Sequence, residues 1–309
     1  MSTSTLSRLR RRRSGVMLRE WRDGWLFALP FILGFVLWTA GPMLYSIYLV
    51  FQDWDMLTPP QFVGLDNLVQ LTVDPLVKVT LLNTAYFTFI GVPLQVIVAL
   101  LLALALDVKL RGIDLYRTVF YLPAIVPAVA SAVVWTQVFN PDFGVINNIL
   151  LGLGLPTHKW LLDPGLAKPA FIFMGLWAIG PQMVIALAGL QNVPEVLHEA
   201  AQIDGATKFQ RFRFITLPMI SPVLFFLLVI GVIGSFQVFT SAFVMTNGGP
   251  QNATLFAVLY IYVNGFHLFR MGYAAALAWL LFAIIMIFTF LQFRVANRWV
   301  YYEGKAPER

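Results

Sequence analysis

A set of neutral polar and aromatic side chains interrupts the long apolar stretches of this 309-residue sequence. Amides and hydroxyls donate and accept hydrogen bonds, and aromatic rings offer flat faces, so together they could hold a neutral, hydroxyl-rich ligand. Each of them could instead link two helices or lie in an interfacial aromatic belt. The set consists of Gln95, Trp135, Gln137, Trp177, Gln182, Ser235, Gln237, Thr240, Ser241, Tyr273 and Trp279.

Residues for catalysis or ion coupling are missing from the same stretches. They contain no Asp, Glu, Lys or Arg, whereas ion-driven carriers usually keep an ionisable residue near the membrane midplane. The sequence has no cysteine and no phosphate-binding, serine-hydrolase or metalloprotease motif, and its histidines (158, 198 and 267) are scattered. We therefore expect no enzyme activity, cofactor or metal site in this chain. A stand-alone secondary transporter or channel and an intramembrane enzyme are disfavoured alternatives.

The elements that must position these side chains are membrane-spanning helices. The chain is 59% hydrophobic and 12% charged, whereas a soluble domain is about half apolar and about a quarter charged. A spanning helix needs roughly 20 apolar residues. The sequence predicts an all-α polytopic membrane protein, in which residues 255–266 form a short re-entrant or interfacial helix and not a seventh span. The six predicted spans are 25–50, 84–106, 119–139, 170–190, 218–245 and 271–293.

The distribution of charge predicts the orientation of these spans. With the N-terminus inside, all basic residues except Lys78, Lys159, Lys168 and Arg270 lie on the inner side, as the positive-inside rule requires. The net charge of +6 therefore reports topology and not nucleic-acid binding. We expect a basic cytoplasmic segment over 1–24, which anchors a start-transfer helix better than it fits a cleavable signal peptide. A six-helix transmembrane domain over 25–293 and a cytoplasmic tail over 294–309 follow.

The inner loop at 193–218 has the pattern of a short helix with a surface for another protein. Pro194 suits a first helical position, and Glu195 suits the positive end of the helix dipole. Gly205 suits the left-handed position after the last turn. A solvated amphipathic loop helix remains the alternative for these features alone. The residues expected to face a partner are Glu199, Ala200, Ala201, Asp204, Gly205 and Ala206.

The complete string Glu199-Ala200-Ala201, Asp204-Gly205-Ala206 and Ile215-x-Leu217-Pro218 resembles the EAA loop of permease subunits in binding-protein-dependent ATP-binding-cassette (ABC) importers. Further motifs extend the resemblance to the carbohydrate branch of that family. They are Phe62-Val63-Gly64-Leu65 with Asn67, Arg111-Gly112 through Tyr116-Arg117, Tyr121-Leu122-Pro123, Trp135, Gly144, Asn147 and Thr246-Asn247-Gly248-Gly249-Pro250.

The resemblance implies the type I ABC importer permease fold, in which 193–218 couples the chain to an ATPase dimer that binds ATP and Mg²⁺. A second permease subunit, an extracytoplasmic solute-binding protein and the lipid of a bacterial or archaeal cytoplasmic membrane are the other implied partners. Both termini would be cytoplasmic. Unlike the maltose member of the family, the chain lacks a large extra outer domain and extra N-terminal spans.

The resemblance also implies where substrate binds. Residues 231–240 and the segment around 177–182, where Gly180-Pro181 predicts a break in the fourth span, align with the sugar-contacting segments of the maltose-type subunit. On a continuous fifth span, Gly231, Ser235, Val238 and Ala242 would share one face. The expected substrate is a neutral di- or oligosaccharide, with glycerol-phosphate or another small solute as the alternative. The predicted substrate contacts are Trp177, Gln182, Ser235 and Gln237.

Overall fold

The computed structural model describes residues 3–108 and 110–301, and they are almost entirely helical. The one two-stranded ribbon pairs β1 (Gln52–Asp53) with β2 (Gln61–Phe62) in antiparallel register. The side chains before Met17, which include the predicted basic anchor, and residues 302–309 of the predicted tail lie outside the described part. The helices are α1 (Thr3–Phe35), α2 (Gly41–Val50), α3 (Asp66–Val73), α4 (Pro75–Leu106), α5 (Ile113–Tyr121), α6 (Ala128–Val138), α7 (Val145–Gly152), α8 (Pro164–Trp177), α9 (Gly180–Gln191), α10 (Glu195–Ile203), α11 (Lys208–Arg211), α12 (Leu217–Phe236), α13 (Thr240–Met245), α14 (Ala257–Tyr262) and α15 (Met271–Ala296).

Within the described residues, four helical stretches are long and apolar enough to cross a membrane, and two bent helix pairs raise the number to six. Each continuous stretch and each bent pair includes most of one predicted span, so the prediction of six is confirmed with each pair counted as one. The bent pairs are Ile113–Ile125 with α6, at 97°, and α8 with α9, at 53°. The continuous stretches are Arg19–Val50, Pro75–Leu106, Lys208–Phe236 and Met271–Ala296.

Two of the predicted spans are not the continuous helices that the apolar pattern favours. The third span bends at Pro127, because a proline cannot donate the helical hydrogen bond and disfavours helical geometry in the residue before it. The fifth span ends at Phe236, and Gln237 caps it. A new helix begins only at Thr240, so Ala242 lies on a separate helix and the predicted face does not extend to it. Gly231, Ser235 and Val238 still line one common cavity.

The apolar run 255–266 forms a short helix and is not among the stretches long enough to span a membrane, as its length predicts. The helix α14 continues into a π-helical turn, Val263–His267, and Phe256, Leu259 and Asn264 are fully buried. Irregular backbone at membrane depth is tolerated where protein surrounds it. The packing of α14 against α4 and α15 supplies that surrounding.

The long helix α4 is the centre of the core. Its small or hydroxyl-bearing residues Thr84, Thr88, Ala99 and Ala103 are fully buried, and α8, α9 and α12 pack against it. Membrane helices associate largely through close contact of small residues and through interhelical hydrogen bonds, because lipid is as apolar as leucine. The core therefore lies around α4, α9 and α12, where a polar cavity can be enclosed.

The first span contributes almost nothing to this core. No residue of its most apolar 18-residue window is buried, and α2 reaches the bundle mainly by packing on α15. There, the indole nitrogen of Trp279 donates to the hydroxyl oxygen of Ser46 at 3.1 Å. At Gly272 a Cβ atom would lie 1.8 Å from the carbonyl oxygen of Gln52. Only glycine permits the chain after α2 to approach α15 so closely.

Three buried asparagines in or near the sequence motifs outside the loop 193–218 have a structural role, because their side chains hold loops by hydrogen bonds. The amide of Asn67 donates to the carbonyls of Val50 and Gln52 at 2.9 Å, which fixes the chain as it leaves α2. Asn147 binds both sides of its loop and the indole of Trp160. Asn83 donates to two carbonyls of the 252–255 loop. Buried polar side chains that are fully hydrogen-bonded to backbone in this way hold loops in place.

A carboxylate at the start of α4 ties three helices together. Asp74 accepts the amide proton of Leu76 at 2.9 Å and the hydroxyl protons of Tyr260 and Tyr273. Burial acts to raise the pKa of Asp74, but the hydrogen bonds from the two tyrosines and from Leu76 hold it below its ordinary value. Burial and the bond to Asp74 raise the pKa of Tyr260 to about 12. Asp74 is therefore ionised at neutral pH and joins α4, α14 and α15.

Replacing Asp74 by alanine is expected to lower the stability of the detergent-solubilised chain. The change removes the cap of α4 and leaves two tyrosine hydroxyls without their acceptor, a loss of about 2–4 kcal/mol. Because the pKa is lower in the folded state, this contribution is complete above the unfolded pKa of about 4 and disappears as the pH falls through the folded value. Thermal unfolding of the wild type and Asp74→Ala, followed at neutral and acidic pH, measures it.

The matched control is Asp163→Ala. Asp163 also accepts from the second residue of its helix, Gly165, at 2.7 Å, but it binds no tyrosine. Its loss should cost only about 1 kcal/mol. Equal destabilisation by the two alanine variants would show that the tyrosine bonds contribute nothing.

Candidate functional site

The predicted coupling loop contains a helix, α10, with bounds close to those that the sequence predicts. It begins at Glu195, one residue later than the first position assigned to Pro194, which instead precedes the helix in extended conformation. Glu195 lies in the first turn, where the helix dipole favours a negative charge. The position of Pro194 is the only correction at this end.

The other end of α10 closes in a Schellman motif that depends on Gly205. The amide of Ala206 donates to the carbonyl of Ala201 at 2.9 Å, and that of Gly205 to the carbonyl of Gln202 at 3.1 Å. This pattern requires a left-handed residue after the helix, and Gly205 has φ +80°. The left-handed conformation predicted for Gly205 is therefore present.

The predicted partner-facing residues of the loop are accessible. Glu199, Ala200, Asp204 and Gly205 are exposed, whereas Ala201 and Ala206 are half-buried. Large apolar side chains beside them are also exposed, which the sequence analysis did not include in the site: Val196, Leu197, Ile203, Phe209 and Phe214. Exposed apolar side chains that cluster around polar ones are typical of a protein-binding surface.

The loop is rigidly connected to the fifth span. Thr207 caps α11 through a reciprocal pair of hydrogen bonds with Gln210, and the guanidinium of Arg211 donates to the side-chain oxygen of Gln202 at 3.0 Å. From Lys208 the chain continues without a break through a π-helical turn, Phe212–Thr216, to Phe236. One continuous helical rod therefore runs from the end of the loop to the middle of the bundle.

The chain after α15 packs against the start of this rod. The amide of Tyr301 donates to the hydroxyl oxygen of Ser221 at 2.8 Å, and the rings of Phe225 and Trp299 meet edge to face at 6.0 Å. Ala296 and Val300 are buried in the same small cluster. The last span thereby braces the helix that follows the coupling loop.

A cavity of about 400 Å³ opens between α4, α9 and α12, beside the upper part of this rod. None of its lining residues is charged, and the side chains of Gln95, Gln182 and Ser235 supply its polar groups. A larger cavity, of about 690 Å³, lies beside Asp74 at the far end of α4. Only the smaller one is lined by the neutral polar residues of the spans, and it is therefore the better candidate for a translocation site.

The structure brings together two of the four predicted substrate contacts. Gln182 and Ser235 line the cavity, and Ser235 already lies at 2.9 Å from the hydroxyl of Thr88 on α4. Trp177 and Gln237 are not among the lining residues. The ring of Trp177 meets that of Trp135 edge to face at 5.8 Å, and the amide of Gln237 donates to the carbonyl of Ile233 in its own helix.

Gln95 also lines the cavity, although it is not among the four predicted substrate contacts. It belongs to the set of polar residues inside spans, so its signal was present in the sequence. What the sequence did not show is that α4 presents it to the same cavity as Gln182. The break before Gly180, which the sequence did predict, lets α9 begin beside that cavity.

These features define a class of protein: a polytopic membrane permease with an uncharged internal cavity, whose loop helix is exposed for docking and rigidly joined to a cavity-lining span. A family model described as "Binding-protein-dependent transport system inner membrane component" matches residues 77–301, and the chain belongs to this family. It is accordingly an inner-membrane subunit of a transport system.

Similar proteins extend over nearly the whole chain. The probable ABC transporter permease protein YesP of Bacillus subtilis (strain 168) is 40% identical over 287 residues, which cover 91% of this chain and 93% of that protein. The lactose transport system permease protein LacF of Rhizobium radiobacter is 36% identical over 283 residues, with 89% and 94% covered.

The fold matches that of a solved importer. The chain superposes on a chain of a bacterial alginate ABC transporter, crystallised in complex with an alginate pentasaccharide-bound periplasmic protein, with a TM-score of 0.81 and 24% identity. The match covers 92% of this chain and 96% of the other. The predicted type I ABC importer permease fold is confirmed.

Proposed function

We propose that the chain forms half of the translocation pathway of an ATP-driven sugar importer, and that it alternates between outward-open and inward-open states. The observation that carries this proposal is the continuous connection from the exposed helix α10, through the turn at Gly205, to the span that lines the uncharged cavity. A second, similar permease would supply the other half. The first span supports such a partner, because no residue in its most apolar 18-residue window is buried within this chain.

ATP hydrolysis in this proposal takes place in a separate ATPase dimer, which holds ATP and Mg²⁺. The permease sequence contains no phosphate-binding loop of its own. Free energy reaches the cavity only if the two permease states differ in their affinity for the two ATPase states. The six coupling residues around Glu199 and Gly205 would make the contacts that differ.

The substrate that the cavity fits best is a neutral di- or oligosaccharide. Its polar groups are amides and a hydroxyl, and none of its lining residues is an Arg or Lys that could neutralise a phosphate or carboxylate. The similarity to the lactose transport system permease LacF supports a neutral sugar as the substrate. Glycerol-phosphate or another small solute is the alternative, for which the second permease would have to supply the cation.

The orientation follows from charge. Basic residues concentrate on the side of α10, which the positive-inside rule assigns to the cytoplasm. Both termini are then cytoplasmic, in the inner membrane of a bacterium or an archaeon. A sugar-loaded binding protein would dock on the opposite side. The structure of the alginate transporter in complex with an alginate-bound periplasmic protein supports a partner of this kind.

Affinity purification of the tagged chain from its native membranes in mild detergent tests the assembly. We expect an ATPase and a second permease to co-purify in stoichiometric amounts. Purification of the chain alone, in a detergent that keeps related transporters intact, would favour a stand-alone transporter or channel instead.

A further inference from the structure

Two glutamine side chains from different helices meet the same cavity at membrane depth. Gln95 comes from α4 and Gln182 from α9, and both line the space between these helices and α12. The oxygen Oε1 of Gln182 is buried and has no hydrogen-bond partner among the described residues. The side chain of Gln95 likewise makes no hydrogen bond within the described part of the chain.

Unpaired amides are unfavourable in a membrane interior, because lipid offers no replacement for the lost water. The third polar group of the cavity differs in this respect, since the hydroxyl of Ser235 already bonds within the protein to Thr88 and Val232. The two amides are therefore the groups with free hydrogen-bonding capacity in the cavity.

The side chain of Gln95 has room in this place because the residue that faces it on α8 is Gly175, which has no side chain. A Cβ atom at that position would lie 2.6 Å from Nε2 of Gln95. Any larger residue at 175 would push the amide out of its present place. The position of Gln95 thus depends on a specific gap in α8.

A third amide at membrane depth, Gln292 on α15, provides the contrast. Its Nε2 donates to the carbonyl of Leu228 at 3.4 Å, and its Oε1 is buried without a partner among the described residues. It does not line the cavity. Gln292 therefore shares the chemistry of the pair but does not line its cavity.

We propose that Gln95 and Gln182 form an amide pair that binds hydroxyl groups of the sugar during its passage. Each carboxamide offers one acceptor and two donor protons, and a sugar hydroxyl needs both kinds of partner. An anionic group would meet a carboxamide oxygen and no full positive charge, so the pair selects neutral sugars over phosphorylated ones. This inference rests on the proposed sugar-import function and adds Gln95 as a specificity-determining residue.

The test uses the complete transporter, with both permeases, ATPase and binding protein, in proteoliposomes. Lactose, maltose, trehalose and glycerol 3-phosphate serve as labelled probes, and the disaccharide imported fastest by the wild type is used for the variants. Gln95→Leu and Gln182→Leu should each lower its maximal uptake rate roughly tenfold or more. ATPase stimulation by the loaded binding protein should stay within about twofold of the wild type, because docking and coupling are intact.

Gln292→Leu is the matched control and should keep uptake within about twofold of the wild type. If a leucine variant fails to assemble, Gln95→Asn and Gln182→Asn keep the amide but withdraw it by one methylene, and they should still lose uptake severalfold. Normal uptake in both members of the pair, or an equal loss in Gln292→Leu, would overturn the amide proposal alone. A wild-type complex that imports none of the disaccharides would overturn the proposed function first, and the amide proposal with it.

Discussion

Replacing Gly205 by valine is expected to abolish substrate uptake while the chain still inserts into the membrane. Gly205 has φ +80° and no atom within 4 Å of the position of a Cβ, so valine would strain the backbone without clashing with a neighbour. The left-handed conformation costs a side-chain-bearing residue about 1–2 kcal/mol, and a β-branched one more. The Schellman bonds would break, and α10 would lose its fixed angle to the rod Lys208–Phe236. Uptake in whole cells and immunoblots of membranes measure the two effects separately.

Two variants control for the backbone strain itself. Gly154 follows α7 with φ +72° and is equally free of neighbours, so Gly154→Val carries the same strain away from the coupling loop and should leave uptake near the wild-type rate. Gly205→Asn should restore part of the uptake, because asparagine tolerates the left-handed region. Normal uptake in Gly205→Val would contradict the coupling role of this turn.

Reversing the charge of Glu199 is the second change with a large expected effect. Glu199 is exposed in the middle of α10, so Glu199→Lys alters the docking surface without disturbing the core of the permease. If this carboxylate pairs with a cation of the ATPase, the reversal replaces an attraction with a repulsion, which costs several kcal/mol at an interface. We expect the ATPase to be lost from purified complexes and uptake to fall by roughly a hundredfold or more.

Asp107→Lys is the matched control for Glu199→Lys. Asp107 is also an exposed acid, at the end of α4 near the same side of the membrane, but outside α10. Its reversal should leave the complex and uptake within about twofold of the wild type. Retention of the ATPase by Glu199→Lys would remove Glu199 from the coupling surface.

The features that sequence predicted well are those that local patterns determine. Apolar length predicts the spans, and the positions of Pro194 and Gly205 predict the ends of α10 to within one residue. The break in the fourth span was likewise visible in Gly180-Pro181, and the helix α9 begins at Gly180.

The end of α12 at Phe236 was not predictable in this way. The unwound residues 237–239 contain neither glycine nor proline. The rings of Phe239 and Phe243 stack at 5.4 Å, and Phe239 also meets the ring of Tyr262 at 5.1 Å. Tyr262 is distant from Phe239 in the sequence, so a tertiary contact that local propensity does not reveal accompanies the end of this helix.

The prediction of substrate contacts has the same limit, because sequence alone does not show which polar side chains face the cavity. The sequence predicts all four of these contacts equally, but Gln182 and Ser235 line the cavity and Trp177 and Gln237 do not. A helical projection could not separate them, because the chain bends before Gly180 and unwinds at Gln237. Gln95 on α4 lines the same cavity, which only the packing of α4 against α9 and α12 reveals.

Uptake by the purified complex in proteoliposomes tests the central claim most directly. With ATP inside and a sugar-loaded binding protein outside, the account predicts accumulation of a labelled neutral disaccharide against its gradient, and no accumulation when either ATP or binding protein is omitted. Accumulation driven by an ion gradient without ATP, or equal uptake without the binding protein, would contradict it.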